Sequence, residues 1–154
     1  MKRLLLHLAL AGLLAGCAPP PATADDARQA LIAFFDHLDQ GEYTAADALY
    51  GGSYETLAAM NPDLDPDDHA ALWEHGCLQN GLQCLTIRSA AAVEWRDGGF
   101  LFKVEFNAPG GSLFVLGPCC GATETEMPSK SLFDYKVIEV EGRYKVIDLP
   151  VYIP

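Results

Sequence analysis

Positive charge is scarce in this chain. Ten Lys and Arg stand against 21 Asp and Glu, for a formal net charge of −11. A surface of that sign repels nucleic acid and anionic lipid headgroups, so neither is expected as a partner. Past residue 15 no apolar run is long enough to span a bilayer. Cysteine is limited to five positions, and none stands two to four residues from another as in a zinc knuckle. No histidine sits beside a serine or cysteine in a nucleophile motif. There is no internal repeat, and low complexity is confined to one short stretch near the start. No cofactor and no metal is expected on these grounds.

What is present begins with Lys2 and Arg3, a short positive region. Residues 4–15, "LLLHLALAGLLA", follow with the length of a signal-peptide core, too short for a transmembrane helix. The run closes on "LAGC", Leu14 to Cys17. This segment resembles the lipobox of bacterial lipoproteins. The resemblance implies cleavage after residue 16, a diacylglycerol on the Cys17 sulfur, and an extracytoplasmic, membrane-anchored protein. Ala18 rather than Asp at the second mature position fits an outer-membrane destination. "APPPATA", residues 18–24, reads as a semi-rigid tether holding the domain roughly 20 Å from the lipid, at about 3.1 Å per residue.

Helical periodicity fills the next part. Residues 25–40 place Ala27, Leu31, Phe34, Phe35 and Leu38 on one face. Asp25 and Asp26 suit the positive end of the helix dipole, and Gly41 ends the helix. A second helix is expected over 42–50 and a short third one over 54–60. A fourth opens at Asp65-Pro66, with Asp65 as N-cap, and runs to Gly76. The period then changes. Residues 84–95 read as extended, and Asp97-Gly98-Gly99 as a hairpin turn. Residues 100–107 alternate, with Phe100, Phe102, Val104 and Phe106 on one face. Strands are also expected at 112–117, 132–140 and 143–149.

Helices followed by a curled antiparallel sheet of about four to six strands make an α+β plan over residues 25–154. Here "ALIAFFDHLDQGEYTAADALY" is similar to the opening helices of NTF2-like (cystatin-like fold) domains. "FDYKVIEVEGRYKVIDLPVY" is similar to their closing hairpin. The resemblance implies a pocket between helices and sheet. Members of that class include isomerases, dehydratases and noncatalytic modules, so fold alone does not select a function.

With Cys17 lipidated, Cys77, Cys84, Cys119 and Cys120 form an even set in a disulfide-permissive compartment. Three pairings exist. Adjacent Cα atoms lie about 3.8 Å apart, under the usual disulfide minimum of about 4.4 Å. Cys77–Cys84 closes easily around Asn80-Gly81 but leaves Cys119 and Cys120 to each other or free, so the two crossed pairings, Cys77 and Cys84 each to one of the vicinal pair, are favoured. Each closes a loop of about 40 residues, worth roughly 4 kcal/mol of chain entropy. A strained Cys119–Cys120 redox bond and a metal site of four thiolates near His75 are the rivals.

Other constellations are weaker. Asp63, Asp65, Asp67 and Glu74 match EF-hand positions, but Asp68 replaces the required glycine, so the acids read as a helix N-terminus. His37 flanks the first apolar face, while His69 and Trp73, four apart, are expected to pack together. Acid–base chemistry in a pocket needs a carboxyl with a raised pKa and a hydroxyl donor. Asp134 and Asp148, with Tyr135 and Tyr144, are the residues for that role, although acids in strands usually face water. The expected function is a lipid-anchored, noncatalytic module binding a small ligand or an envelope protein. The alternatives are a pocket enzyme of the isomerase or dehydratase type, or a redox or metal-handling lipoprotein using Cys119-Cys120.

Overall fold

The computed structural model describes residues 23–96 and 98–154. The signal segment, Cys17 and the tether up to residue 22 lie outside the described residues. Ala24, read from the sequence as the end of the tether, opens the first helix, and Thr23 is its extended N-cap. α1 is Ala24–Asp39, and the Thr23 side chain accepts from the Asp26 N–H at 3.1 Å. That bond satisfies a donor the first turn leaves open. Ala27, Leu31, Phe34, Phe35 and Leu38 are all buried, as their spacing predicts. Gly41, at φ 73°, lets the chain turn into α2, Tyr43–Leu49.

α3 spans Glu55–Met60 and α4 spans His69–Leu78. The expected N-cap at Asp65 is corrected to Asp68, whose side chain accepts from the Ala71 N–H. The reason is local. The Asp65 carboxylate accepts from the Asp67 N–H at 3.0 Å, and its carbonyl accepts from the Asp68 N–H. The acids thus form a turn of their own before the helix begins.

The sheet is an antiparallel meander of four strands in the order β1-β2-β3-β4. They are β1 Ile87–Arg96, β2 Gly99–Phe106, β3 Phe133–Val140 and β4 Arg143–Val146. Register shifts in β1 at Ile87/Ser89 and Ala92/Glu94 mark irregularities of the kind that bend a sheet. The expected strand at 112–117 is not one. It makes two isolated bridges, Asn107 with Leu113 and Leu116 with Lys130, and Phe114 between them is buried. "PGG" at 109–111 supplies two positive φ values and turns the chain too sharply for a ladder to continue.

α1 lies against all four strands. Its two adjacent phenylalanines divide the work. Phe34 meets Tyr50 and Trp73, at centroid distances of 5.9 and 5.5 Å, on the helical side. Phe35 meets Phe106 and Tyr135, at 4.8 and 5.0 Å, on the sheet side. Phe34 and Tyr50 are stacked and the other three pairs are edge-to-face, arrangements that add about 0.5–1.5 kcal/mol each beyond the area they bury. The segment after β4 crosses back to the α4–β1 connection, where Ile153 N–H bonds the Gly81 carbonyl at 3.0 Å. A Cβ on Gly81 would stand 2.0 Å from the Ile153 carbonyl oxygen, so only glycine admits that crossing.

Phe34→Ala is expected to cost about 3–5 kcal/mol in urea unfolding, from lost transfer energy and the cavity left behind. Leu78→Ala, at a side chain 67% exposed, is expected to stay within about 0.5 kcal/mol. Equal losses in the two variants would show that Phe34 does not join the layers.

Candidate functional site

Of the four acids and hydroxyls expected in a pocket, Asp134 and Tyr135 line one groove and Asp148 interacts by charge with both, but among the described residues no hydrogen bond joins any two of the four. Phe133, Tyr135 and Val137 take the inner face of β3, so Asp134 points outward and pairs with Lys103 of β2 at 2.5 Å. Tyr135 is buried against Phe35 and Phe106, and burial, then the charge of Asp148, pushes its phenol well above the ordinary range. Tyr144 is half-buried on β4, its phenol raised mainly by burial. Asp148 is half-buried where β4 has ended. Its carboxylate accepts the Lys136 backbone N–H at 2.5 Å, standing in for a missing strand partner. Burial raises its pKa more than that bond and the Lys136 charge lower it. Its charge acts on Tyr135 and on Tyr50, whose phenol is pushed up to about 12, mainly by burial.

The cysteine expectation is corrected. Cys77 pairs with Cys84, at a Cα–Cα distance of 5.6 Å, and Cys119 and Cys120 are free thiols. The crossed pairings fail because the end of α4 returns on itself through Gly81, setting Cys84 beside Cys77. The short loop is worth about 2 kcal/mol of chain entropy, less than a crossed bond would give. The vicinal thiols touch each other, Sγ to Sγ at 2.8 Å. Cys120 holds the Cys119 thiol above its ordinary value by hydrogen bonding to it.

One polar cluster went unread in the sequence. Tyr54 donates to the Asp47 carboxylate and accepts from the Trp73 indole N–H at 3.0 Å. His69 reaches the same Asp47 oxygen at 3.1 Å and stacks on Tyr54, centroids 3.7 Å apart. His69 and Trp73 therefore meet through Tyr54 instead of packing on each other. Asp47, Tyr54 and the α4 pair stand far apart in sequence, so no spacing rule could have joined them. The cluster ties α2 to α4. The Tyr54 phenol is raised by burial and by Asp47, which makes it a poor proton source.

Open grooves mark the surface of the described residues. One, of about 530 Å³, is lined by Met60, Gln79, Asn80, Gly81 and the segment 152–154. A groove of about 400 Å³ runs along β3, walled by Leu116, Lys130, Leu132, Phe133, Asp134, Tyr135, Leu149, Val151 and Tyr152. Leu132 and Tyr152 are each 48% exposed within it. Here the sheet has an open edge. β4 pairs only with Val137–Val140, and the backbone groups of Lys136 face the β4 side, bonding Asp148 and the Ile147 N–H. By antiparallel alternation Asp134 turns its N–H and C=O the same way, past the end of β4. Among the described residues neither group has a partner.

Asp148 lines neither of these two grooves. Among the described residues no three His, Cys, Asp or Glu side chains gather as a metal site would require, and no helix is long and apolar enough to cross a membrane. Comparison with protein-family models, with curated proteins and with solved structures finds no match for this chain.

The raised pKa of Asp148 has a definite sign. The folded state keeps this proton to higher pH than the unfolded chain, whose Asp titrates near 3.9. The contribution is fully present below that value and is lost as pH rises through the folded pKa. Asp148→Asn keeps an acceptor for Lys136 and removes the charge. It is expected to raise the urea midpoint at pH 7 relative to the parent and to leave it unchanged at pH 3. A variant less stable at pH 7 would show that the carboxylate's hydrogen bond outweighs its burial.

Proposed function

We propose that this protein is a lipid-anchored component of a bacterial cell envelope. In this reading its NTF2-like domain is a noncatalytic module that binds an extended segment of another envelope protein. The anchor reading is supported by "LAGC" at residues 14–17 and by a proline-rich spacer that ends just before α1 begins. The NTF2-like reading is supported by the helices-first order and by α1 lying across a bent antiparallel meander. The space between helices and sheet holds Phe34, Phe35, Tyr50, Trp73, Phe106 and Tyr135, all buried, which favours binding at the rim over binding inside.

The observation that carries the binding reading is the open β3 edge at Asp134 beside a groove walled by Leu116, Leu132 and Tyr152. A peptide adding there as a strand would bond the Asp134 backbone and set alternate side chains against Leu132 and Tyr152. That is β-augmentation, in which main-chain bonds supply affinity and side-chain pockets supply selectivity. A small ligand has no such reason to choose this groove.

The test uses the intact exported protein with a photoreactive residue at Leu132, and a second version with the probe at Val93, which is exposed on β1. The Leu132 probe is expected to cross-link one envelope protein. The linked segment, made as a synthetic peptide, is then titrated against the purified protein. Asp134→Pro removes an N–H that the domain itself does not use, and is expected to weaken binding about tenfold or more, roughly 1.4 kcal/mol. Leu132→Asp is expected to do the same. Equal cross-linking from Val93, or affinity unchanged by both variants, refutes the reading. Cys17→Ser is expected to release the protein from the membrane fraction, and retention there would refute the anchor.

A further inference from the structure

We propose that Cys119 and Cys120 form a reversible dithiol–disulfide centre that exchanges with external disulfides. The site is separate from the β3 groove and does not depend on it.

The chain builds a display for these two thiols. Leu116 and Lys130 exchange two backbone hydrogen bonds, at 2.8 and 2.9 Å, and close the base of the intervening loop. Within it the Glu126 carboxylate accepts from the Thr123 N–H and hydroxyl, each at 2.8 Å. Glu124 accepts from the Ser129 N–H and hydroxyl in the same way. The loop's own carboxylates are therefore engaged internally. At its tip Ala122 N–H bonds the Cys119 carbonyl, closing a turn with Cys120 at φ 60° and Gly121 at φ 88°. A left-handed conformation is unfavourable for a residue with a Cβ. Here it occurs where the two sulfur atoms come within 2.8 Å of each other on one side of the chain. In a flat strand they would point to opposite faces.

The alternatives for such a pair are reduced by the rest of the molecule. Cys77 and Cys84 are already bonded to each other, so the described residues contain no other thiol to pair with. Among the described residues no third ligating side chain joins them. What remains is the chemistry of two adjacent thiols, Cys120 exposed and Cys119 partly exposed. A bond between them closes a ring on Cα atoms held about 3.8 Å apart, under the usual disulfide range. A strained, exposed bond of this kind is easily reduced, as labile disulfides are, unlike structural ones.

The exchange balances with a disulfide R–S–S–R as co-reactant. One cysteine loses its proton to solvent, and its thiolate attacks one sulfur of R–S–S–R. R–S⁻ leaves, and a mixed disulfide remains. The neighbouring cysteine then loses its proton and attacks the protein sulfur of that mixed disulfide, and the second R–S⁻ leaves. The cysteine pair gives up two electrons and two protons, and the external disulfide becomes two thiols. The reverse path passes the oxidation to an external dithiol.

The experiment equilibrates the intact protein in glutathione buffers of graded reduced-to-oxidised ratio, blocks free thiols by alkylation and digests with trypsin. Residues 104–130 leave as one peptide holding these two cysteines and no other, while Cys77 and Cys84 share the peptide 29–88. The 104–130 peptide is expected to pass between two alkyl groups and none. It should open at about tenfold or more less reductant than the 29–88 bond. Cys119→Ser and Cys120→Ser are each expected to replace closure with a single glutathione adduct. The 29–88 bond, still closed, reports that each variant is folded. The proposal is overturned if both thiols stay open in the most oxidising buffer, if the parent collects two glutathiones, or if the closed pair outlasts Cys77–Cys84.

Discussion

Everything in this fold depends on two adjacent rings in α1. Phe34 and Phe35 are neighbours in sequence, so on a helix they diverge by about 100°. Phe34 enters the helical layer against Tyr50 and Trp73, and Phe35 enters the sheet against Phe106 and Tyr135. One turn of helix thus forms the junction between layers. With that junction in place, α2 and α4 are tied by the polar cluster around Tyr54, and all four strands lie against α1.

The same packing decides what the surface offers. Because the interior is occupied by aromatic side chains, the proposed recognition lies at the rim, where β4 stops after Val146 and β3 runs on paired only with β2. Asp148 is part of that arrangement. It caps the Lys136 N–H that β4 no longer reaches, and it does so although burial disfavours its charge. One position further along the same edge, Asp134 has no such cap. The proposed docking edge rests on this contrast between a capped and an uncapped donor.

The candidate sites were unevenly legible. GPCCG was readable as a turn carrying two thiols, because Pro118 and Gly121 bracket it. Its pairing was not readable, because disulfide choice follows Cα proximity. Gly81 brings Cys84 back to Cys77 within the α4–β1 connection. The outward direction of Asp134 follows from β-alternation once Phe133, Tyr135 and Val137 are known to be inside. The open edge beside it depends on where β4 ends, which no periodicity reveals. The Tyr54 cluster was illegible for a different reason. Its members come from three separate segments and meet only after the helices pack.

By itself the sequence determined the order of elements, the buried face of α1, the alternation of β2 and the class of fold, because each is a periodicity of 3.6 or 2 written along adjacent residues. It also determined the strongly acidic balance and the lipobox-like start. Tertiary structure alone decided the start of α4, the loss of the strand at 112–117, the disulfide partner and the open edge of β3. Each of those is a contest between a local preference and the space left by distant residues, and packing resolves it.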